Sequence, residues 1–488
     1  MPVVLPIDRR DLERAFARAR RELGVRTRFP AAVLREAHAA AQRGALPAPS
    51  RAEAGAVPFL TVDPPGSRDL DQALHLERAG EGYRVRYAIA DVGAWVARGG
   101  AVEREAWLRG STVYGPERRD PLYPPALSEE AASLLPGVRR PAVLFDLRLD
   151  ARGELRETAI GRAWVQSRAQ LTYADALALA GEVGGSAAEA RAPTLPLLRE
   201  VGELRRQRER ERGGVSLPLL SQDVQRHTAS RLGYRVVYET PNAAEEWNAQ
   251  ISLLAGHAAA LRMLEAGVGL LRMLSPVEPA DLAAFRLAAR TLGFDWPEET
   301  GYASFVHGLP QQHPLLPALV WQARRLMRGS GYLAFAGEPP ARAAHAALAM
   351  PYAHCTAPLR RLADRYVLDL LVTLPQEQRP TPEEVATLQA LPPVMEAAER
   401  RAAQFERRVV DVAEAAALAG CVGRRLAATV LGVQRGRLEV QLEEPPVRTL
   451  AAMPAGREPP ALGGRVAVRV QRVDVPGGRA ELTLEPRG

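Results

Sequence analysis

Three aspartates fall within nine residues, in the run Asp63-Pro64-Pro65-Gly66-Ser67-Arg68-Asp69-Leu70-Asp71. Asp69 and Asp71 are two apart, so in an extended chain their side chains share a face. The Pro64-Pro65-Gly66 turn lets Asp63 fold back toward them. Carboxylates this close raise one another's pKa unless a cation lies between them. Mg²⁺ suits such a set, because it takes oxygen ligands and keeps waters that a substrate phosphate can replace. The spacing is not that of an EF-hand, whose glycine and terminal glutamate are missing. The plainer reading is a solvated acidic loop with turn caps.

A second constellation is His354-Cys355-Thr356-Ala357-Pro358-Leu359-Arg360-Arg361-Leu362-Ala363-Asp364-Arg365. Thr356 or Ala357 reads as a helix N-cap, with Pro358 in the first turn. Arg360 and Arg361 then sit near a helix N-terminus, the unfavourable end for positive charge. A bound anion would reverse that penalty, since free N–H groups and two guanidiniums could clasp it. The plainer reading pairs Arg360 or Arg361 with Asp364 on a solvated face. Carboxylates and a phosphate clasp together suggest metal-assisted phosphoryl chemistry.

Composition removes several alternatives. All 64 basic Lys or Arg residues are arginine. Without lysine there is no phosphate-binding loop of the Walker type, no kinase strand lysine and no Schiff-base site. Two cysteines, Cys355 and Cys421, exclude a disulfide framework or a cysteine-built zinc site. The eight histidines show no metalloprotease spacing. Any metal is therefore expected to be a hard ion held by carboxylates. A net charge of +7 favours a polyanionic partner, and guanidinium suits phosphate. Much of the arginine excess is nevertheless read as bias in a G+C-rich genome. No apolar run reaches the length of a membrane span, and no signal peptide is visible, so a cytoplasmic protein without membrane contact is expected.

The elements that must carry these residues follow from pattern. Residues 1–50 read as helical, from an Asp8 or Asp11 cap to Leu23 and from Ala31 to Arg43, with Pro47–Gly55 a linker. This is a small helix-turn-helix-sized region, or an arm packed on the rest. Phe59–Val62 reads as a strand, and Gln72–Arg78 with Tyr83–Asp91 as a hairpin around Ala79-Gly80-Glu81-Gly82. Ala101–Gly110 reads as a helix and the Pro-rich stretch Tyr114–Leu127 as an extended loop. Val143–Leu149 and Glu154–Trp164 form a second hairpin. Residues 168–212 read as helical, and Arg205–Arg212 as a solvated face that borders the substrate path. Tyr234–Tyr238 is strand-like. Helices are expected over 243–265, 279–292, 315–328, 358–373 and 382–416. Five short strands between residues 420 and 488 suit an OB-type barrel. Such barrels bind single-stranded nucleic acid on one face.

With these residues in view, the sequence resembles the RNB family, the ribonuclease II and ribonuclease R type of exoribonucleases, with an S1-type RNA-binding tail. The resemblance rests on Thr61-Val62-Asp63 followed by Asp69 and Asp71, on Ala88-Ile89-Ala90-Asp91-Val92 with Trp95, and on Leu122-Tyr123-Pro124-Pro125-Ala126-Leu127-Ser128 with Ser133-Leu134. The Thr356–Asp364 block completes it. It implies an α+β fold: an RNB catalytic domain with a mixed sheet and many helices over 57–418, a small N-terminal helical region over 1–56, and a C-terminal S1-type OB barrel over 419–488. It also implies processive, Mg²⁺-dependent hydrolysis of single-stranded RNA from the 3′ end to nucleoside 5′-monophosphates, with Mn²⁺ as the alternative ion. A two-metal in-line displacement by water is the expected chemistry. Carried over by position, Asp63, Asp69 and Asp71 would hold metal and position the water, and Arg360 would steady the scissile phosphate. Arg361 would join it in phosphate binding. Tyr173 matches a tyrosine that stacks near the 3′-terminal nucleotide, and Tyr114 one that helps set end-product length. Glu406, in Phe405-Glu406-Arg407-Arg408, matches a glutamate near the end of the channel.

Three departures stand out. Gln72 occupies the fourth acidic position; its carbonyl could still ligate metal, but without charge. The tandem cold-shock barrels that usually precede the catalytic domain are replaced by about 50 helical residues. The stretch Gly214–Leu219 offers no aromatic to clamp bases. Gln72 keeps open a weak or inactive RNA-binding protein of the same fold, and residues 1–50 a DNA-binding regulator. A monomer is expected, since barrel and channel can hold one strand together.

Overall fold

The computed structural model describes residues 8–48, 50–181, 194–215, 221–227, 233–239, 242–310, 312–327, 329–374, 380–454 and 456–485. Helix α1 (Arg9–Glu22) starts at Asp8, whose carboxylate accepts from the N–H groups of Arg10 and Asp11 while Asp11 returns a bond to the Asp8 N–H. Helix α2 (Ala31–Arg43) stops at Gly44, whose φ of +84° is open to glycine at little cost. The two helices do not form a free-standing unit. Leu12 and Phe16 of α1 are buried against Tyr234 and Phe405, whereas Val33 and Ala37 of α2 belong to the central core. Phe16 meets Tyr234 edge to face, with ring centroids 5.6 Å apart. The two helices thus pack on the rest of the chain as an arm.

The expected linker contains β1 (Ala52–Glu53), which pairs in parallel with the central sheet. That sheet is built from β2 (Phe59–Val62), the hairpin β3 (Gln72–Ala79) and β4 (Gly82–Ala90), and β7 (Arg139–Leu149) with β8 (Leu155–Leu171). Between β4 and β7 lie α3 (Ala101–Arg109) and the two-residue pair β5 (Val113–Tyr114) and β6 (Arg119–Asp120), which replaces part of the expected extended loop. The strand order is β1-β8-β2-β3-β4-β7, mixed in direction. Strand β8 pairs with β7 over Leu155–Gln166 and with β2 over Ser167–Leu171, so the sheet curls back on itself. The helix expected from residue 168 therefore starts later: α4 (Tyr173–Gly181) and α5 (Thr194–Glu211) follow the strand. Residues 165–171 mix apolar Val165, Ala169 and Leu171 with polar Gln166, Ser167, Arg168 and Gln170, a pattern that fits a helix as readily as a strand.

Strands β9 (Ser221–Arg226) and β10 (Tyr234–Glu239) pair antiparallel, β9 being an addition to the expected Tyr234–Tyr238 strand. Helix α6 (Ala243–Ala266) is capped by Asn242 and Glu245 and buried nearly all round. Strand β11 (Val268–Leu274) pairs with β12 (Ser330–Ala336) across an insertion of α7 (Pro279–Thr291), α8 (Tyr302–His307) and α9 (Leu316–Ala323), which carries its own apolar core. A short pair, β13 (Ala344–His345) and β14 (Met350–Pro351), leads to α10 (Leu362–Thr373) and then to α11 (Pro382–Leu418). Helix α10 begins four residues later than the sequence suggests. Residues 358–361 form a turn whose Arg361 N–H bonds the Ala357 carbonyl. The closed barrel has the order β15 (Arg425–Gln434), β16 (Arg437–Leu442), β17 (Arg448–Ala452), β19 (Arg479–Leu484), β18 (Arg465–Asp474). Its five strands fall where the sequence places them, with β17 in the stretch between Leu442 and Gly464.

Among the described residues, no helix is long and apolar enough to cross a membrane. Phe16→Ala should lower stability by about 3–5 kcal/mol, because it opens a cavity between α1, β10 and α11; urea denaturation measures this. A loss below about 1 kcal/mol would show that α1 is not part of the folded core.

Candidate active site

The acidic loop is held by backbone partners. The Asp63 N–H donates to the Leu171 carbonyl at 3.0 Å, at the end of β8. Ser133 donates to the Arg68 carbonyl at 2.6 Å and accepts from the Leu70 N–H at 3.0 Å. Gln170 holds the Ser67 carbonyl at 2.8 Å. The Asp71 carbonyl accepts from the Ala90 N–H at 2.9 Å, which seats Asp71 beside the β3–β4 hairpin. Ser133-Leu134, distant in sequence, thus shapes the turn that presents the aspartates.

The arginine turn docks onto this loop. Asp71 Oδ1 accepts the Leu359 N–H at 2.7 Å, and Arg360 Nε lies 3.5 Å from Asp71 Oδ2. The Arg360 carbonyl in turn accepts the Thr112 N–H at 2.9 Å, just before Tyr114 on β5. Asp71 is almost fully buried, while the Arg360 side chain is 50% exposed and free to reach a ligand. Burial pushes the Asp71 carboxyl up to about 8, against the lowering pull of Arg360 and the Leu359 N–H. Burial and the Asp69 charge push Asp63 up to about 7.

Tyr114 and Tyr173 flank these groups. Tyr114 is 52% exposed, and the charges of Asp69, Asp71 and Arg360 all act on its hydroxyl. Tyr173 opens α4, close enough to Asp63 for that charge to raise its pKa, after the larger effect of burial. Glu406 stands on α11 and shares a cleft of about 600 Å³ with Tyr114, Asp223 and Arg226. Burial first, then the Asp223 charge, raises its carboxyl. Of the residues read from sequence, Glu406 and Tyr114 share the cleft, Tyr114 lies within electrostatic reach of Arg360, Asp69 and Asp71, and Tyr173 within reach of Asp63.

Two assignments are corrected. Arg361 does not face a phosphate site. Its guanidinium grips Asp364 bidentately, Nε to Oδ1 at 2.5 Å and Nη2 to Oδ2 at 2.7 Å. Asp364 is fully buried and also accepts the Ala357 N–H at 2.7 Å, so the pair shapes the turn. Gln72 is a strut. Its Oε1 accepts the Tyr87 hydroxyl at 2.6 Å and its amide donates to the Thr356 carbonyl at 2.5 Å, which ties β3 to the arginine turn. Ser252 of α6 steadies the same segment, 2.8 Å from the Thr356 hydroxyl. Four of the six residues of Gly214–Leu219, from Ser216 on, lie outside the described residues.

The three aspartates do not meet at one point. Among the described residues, no three His, Cys, Asp or Glu side chains gather so as to hold a metal ion. Asp69 is drawn into an ion pair with Arg119, which also meets Glu129 at 2.7 Å. Sequence reasoning missed Arg119, because a Pro-rich stretch has no periodicity to say where its side chains point. The donor set still fits a hard divalent cation. All its donors are oxygens, and Asp63 Oδ2 is buried with no partner. Burial holds Asp63 and Asp71 toward neutrality despite the pull of Arg360, and a bound cation would offset that penalty.

The RNB domain model matches residues 51–377, and the RNase II-type exonuclease C-terminal S1 domain matches residues 424–485. Ribonuclease R of Aquifex aeolicus is 28% identical over 401 residues, covering 79% of this chain and 55% of that protein. Ribonuclease R of Escherichia coli is 30% identical over 335 residues, covering 65% and 40%. The chain thus spans about half the length of the curated relatives it matches. Mycoplasma genitalium RNase R in complex with ribose-methylated single-stranded RNA superposes with a TM-score of 0.84 at 18% identity, covering 97% of this chain and 78% of that one. At that identity the likeness is one of fold.

Two outcomes follow from the geometry. Arg361→Ala should cost about 3–5 kcal/mol in urea denaturation, since it strands a buried carboxylate. Unchanged stability with weakened RNA binding would return Arg361 to a phosphate-binding role. The second concerns pH. A carboxyl whose folded pKa lies above its unfolded value binds more protons in the folded chain, so stability falls as pH rises. With Asp63 at about 7 and Asp71 at about 8, the metal-free chain should lose stability from about pH 4, the unfolded value, to about pH 8. Asp71→Asn, measured in EDTA across that range, should flatten the loss. An unaltered slope would exclude Asp71 as its source.

Proposed function

We propose that this chain, which belongs to the RNB family, hydrolyses single-stranded RNA processively from the 3′ end to nucleoside 5′-monophosphates. The observation that carries the reading is the docking of Arg360 beside Asp71, with Asp63, Asp69, Tyr114 and Tyr173 around them. The curated relatives it matches are named ribonuclease R. Exoribonucleases of this family generally use a divalent metal; Mg²⁺ is our assignment, with Mn²⁺ as the substitute. Asp63, Asp69 and Asp71 would hold it, and when bound it polarises the phosphoryl oxygen and acidifies water.

The chain's own groups supply the rest. Arg360 presents a guanidinium that stays charged at every working pH and can grip the scissile phosphate bidentately as charge builds on it. Its backbone is fixed by Thr112 and its neighbour Leu359 by Asp71, so the grip is positioned before substrate arrives. Tyr173 supplies a ring for the 3′-terminal base and Tyr114 one for a base further back, a sequence-tolerant mode of holding a strand. Glu406 borders the cleft through which the strand would approach. The S1-type barrel adds a further nucleic-acid surface. We read the protein as a monomer acting in the cytoplasm.

The test is incubation of 5′-labelled single-stranded RNA with the purified chain, with Mg²⁺ or with EDTA. Metal-dependent shortening of the labelled strand from its 3′ end, with mononucleotides recovered by chromatography, is expected, and Arg360→Ala or Asp71→Asn should slow it about 10²–10³-fold. Tyr114→Ala should lengthen the final fragment. RNA binding without products would establish the inactive reading that Gln72 raised.

A further inference from the structure

At the opposite end of β8 from Asp63, a cavity of about 330 Å³ lies between the last turn of α5, the middle of α6 and the β7–β8 turn. Arg205, Arg208, Arg212 and His257 line it, together with Glu154, Glu211 and Met350. Arg205 is 2% exposed, yet its guanidinium makes one hydrogen bond, from Nη1 to the Gly153 carbonyl at 2.9 Å. Its Nε is buried with no partner, and the Glu154 carboxylate stays 3.9 Å from Nη1. Arg208 Nε and Arg212 Nη2 are likewise buried without a hydrogen-bond partner, although Arg208 Nε lies 3.9 Å from Glu154 Oε1. Arg212 spends Nε on the Leu348 carbonyl at 2.8 Å, and Arg208 directs Nη2 to Glu211. Glu209, the other nearby acid, accepts from Gln250 at 2.6 Å.

A guanidinium carries five N–H donors. Leaving them buried without acceptors is costly, and the cost is greatest for a charged group. The strain is visible in Arg205, where burial and then the Arg212 charge hold its pKa down to about 10. The segment read from sequence as a solvated helix face therefore turns three guanidiniums toward the cavity, where Arg205 Nε, Arg208 Nε and Arg212 Nη2 have no hydrogen-bond partner among the described residues. A tetrahedral oxyanion has acceptors in the directions that several guanidiniums can fill at once. His257 adds to the fit. Its Nδ1 faces the Pro351 carbonyl at 2.8 Å and must carry the proton there, so the neutral ring keeps Nε2 as an acceptor for an acidic P–OH.

We propose that this cavity binds the phosphate group of a small anion, either inorganic phosphate or a nucleoside 5′-monophosphate, through Arg205, Arg208 and Arg212. The site is separate from the carboxylate loop, and the inference stands whether or not the chain is a nuclease.

The test uses the full chain carrying Arg360→Ala, which disables the other phosphate-gripping arginine. Thermal unfolding and calorimetry are followed with inorganic phosphate, with UMP and with a short RNA, against chloride at equal ionic strength. Saturable stabilisation by phosphate or UMP is expected. Adding Arg212→Gln or Arg208→Gln should weaken it ~10-fold or more; these partly exposed positions keep the test valid if Arg205→Gln fails to fold. Equal affinity for phosphate and UMP would identify the phosphate alone as the ligand, and tighter UMP binding a mononucleotide. In the native chain, Arg212→Gln should leave RNA hydrolysis unchanged. The proposal is overturned by stabilisation no greater than the chloride control, by stabilisation indifferent to both substitutions, or by binding of RNA alone.

Discussion

The burial of one carboxylate organises this molecule's chemistry. Asp71 is removed from water and meets two groups from a segment 288 residues away, the Leu359 N–H and the Arg360 guanidinium. Burial raises the cost of charging Asp71, and the Leu359 N–H and the Arg360 guanidinium only partly offset it, so the metal-free carboxyl stays biased toward its protonated form. The same contact places Arg360 beside the aspartates, so the demand of a buried charge and the demand of a phosphate site are met by one geometry. The surrounding struts serve that junction: Ser133 shapes the acidic turn, Tyr87 and Gln72 hold Thr356, and Asp364 with Arg361 fixes the turn that follows.

The uniform use of arginine bears on how charge should be read. A net positive balance suggests a polyanion, yet many of the guanidiniums are structural. Arg20 reaches Asp120 at 2.6 Å and stacks on Phe405, Arg109 bonds three backbone carbonyls between 2.7 and 3.0 Å, and Arg365 bonds the Val96 carbonyl at 2.7 Å. These are fork-shaped donors used as internal braces. Neighbouring arginines in one motif divide between the two uses. Arg361 is locked to a buried carboxylate, while Arg360 remains half exposed. Total charge could not reveal that division.

The sequence showed what local periodicity and local chemistry encode. The β3–β4 hairpin followed from alternation around a glycine turn, α1 from an aspartate cap, and the barrel from strand-length runs between turns. The aspartates and Arg360 were legible because their chemistry is confined to short motifs. What was not legible is pairing over distance. Strand β12 finds β11 only across a 55-residue insertion that folds around its own core, and the partner of Asp69 is Arg119 on the two-residue strand β6, within a Pro-rich stretch that has no period. The start of α10 was misjudged for a related reason. Pro358 is compatible with a first helical turn, but the bonds of Asp71 to Leu359 and of Thr112 to Arg360 hold that stretch as a turn, a tertiary override of local preference.

Helix α11 shows how the proposed strand path is held open while the core stays closed. Its 37 residues extend roughly 55 Å at the helical rise. Along that length it meets β12, then α1 through Phe405, then β9 and β10, and finally the barrel. Glu406 points from its middle into the cleft shared with Tyr114, and Glu414 near its end accepts the Arg448 N–H at 3.0 Å at the start of β17. Gln222 of β9 joins the same knot, accepting from Arg448 at 2.7 Å. The cleft is thus walled by β9 and α11, both fastened to the barrel at one end and to the arm at the other. The end of β5 and the turn after it, through Tyr114, Gly115 and Pro116, close its third side.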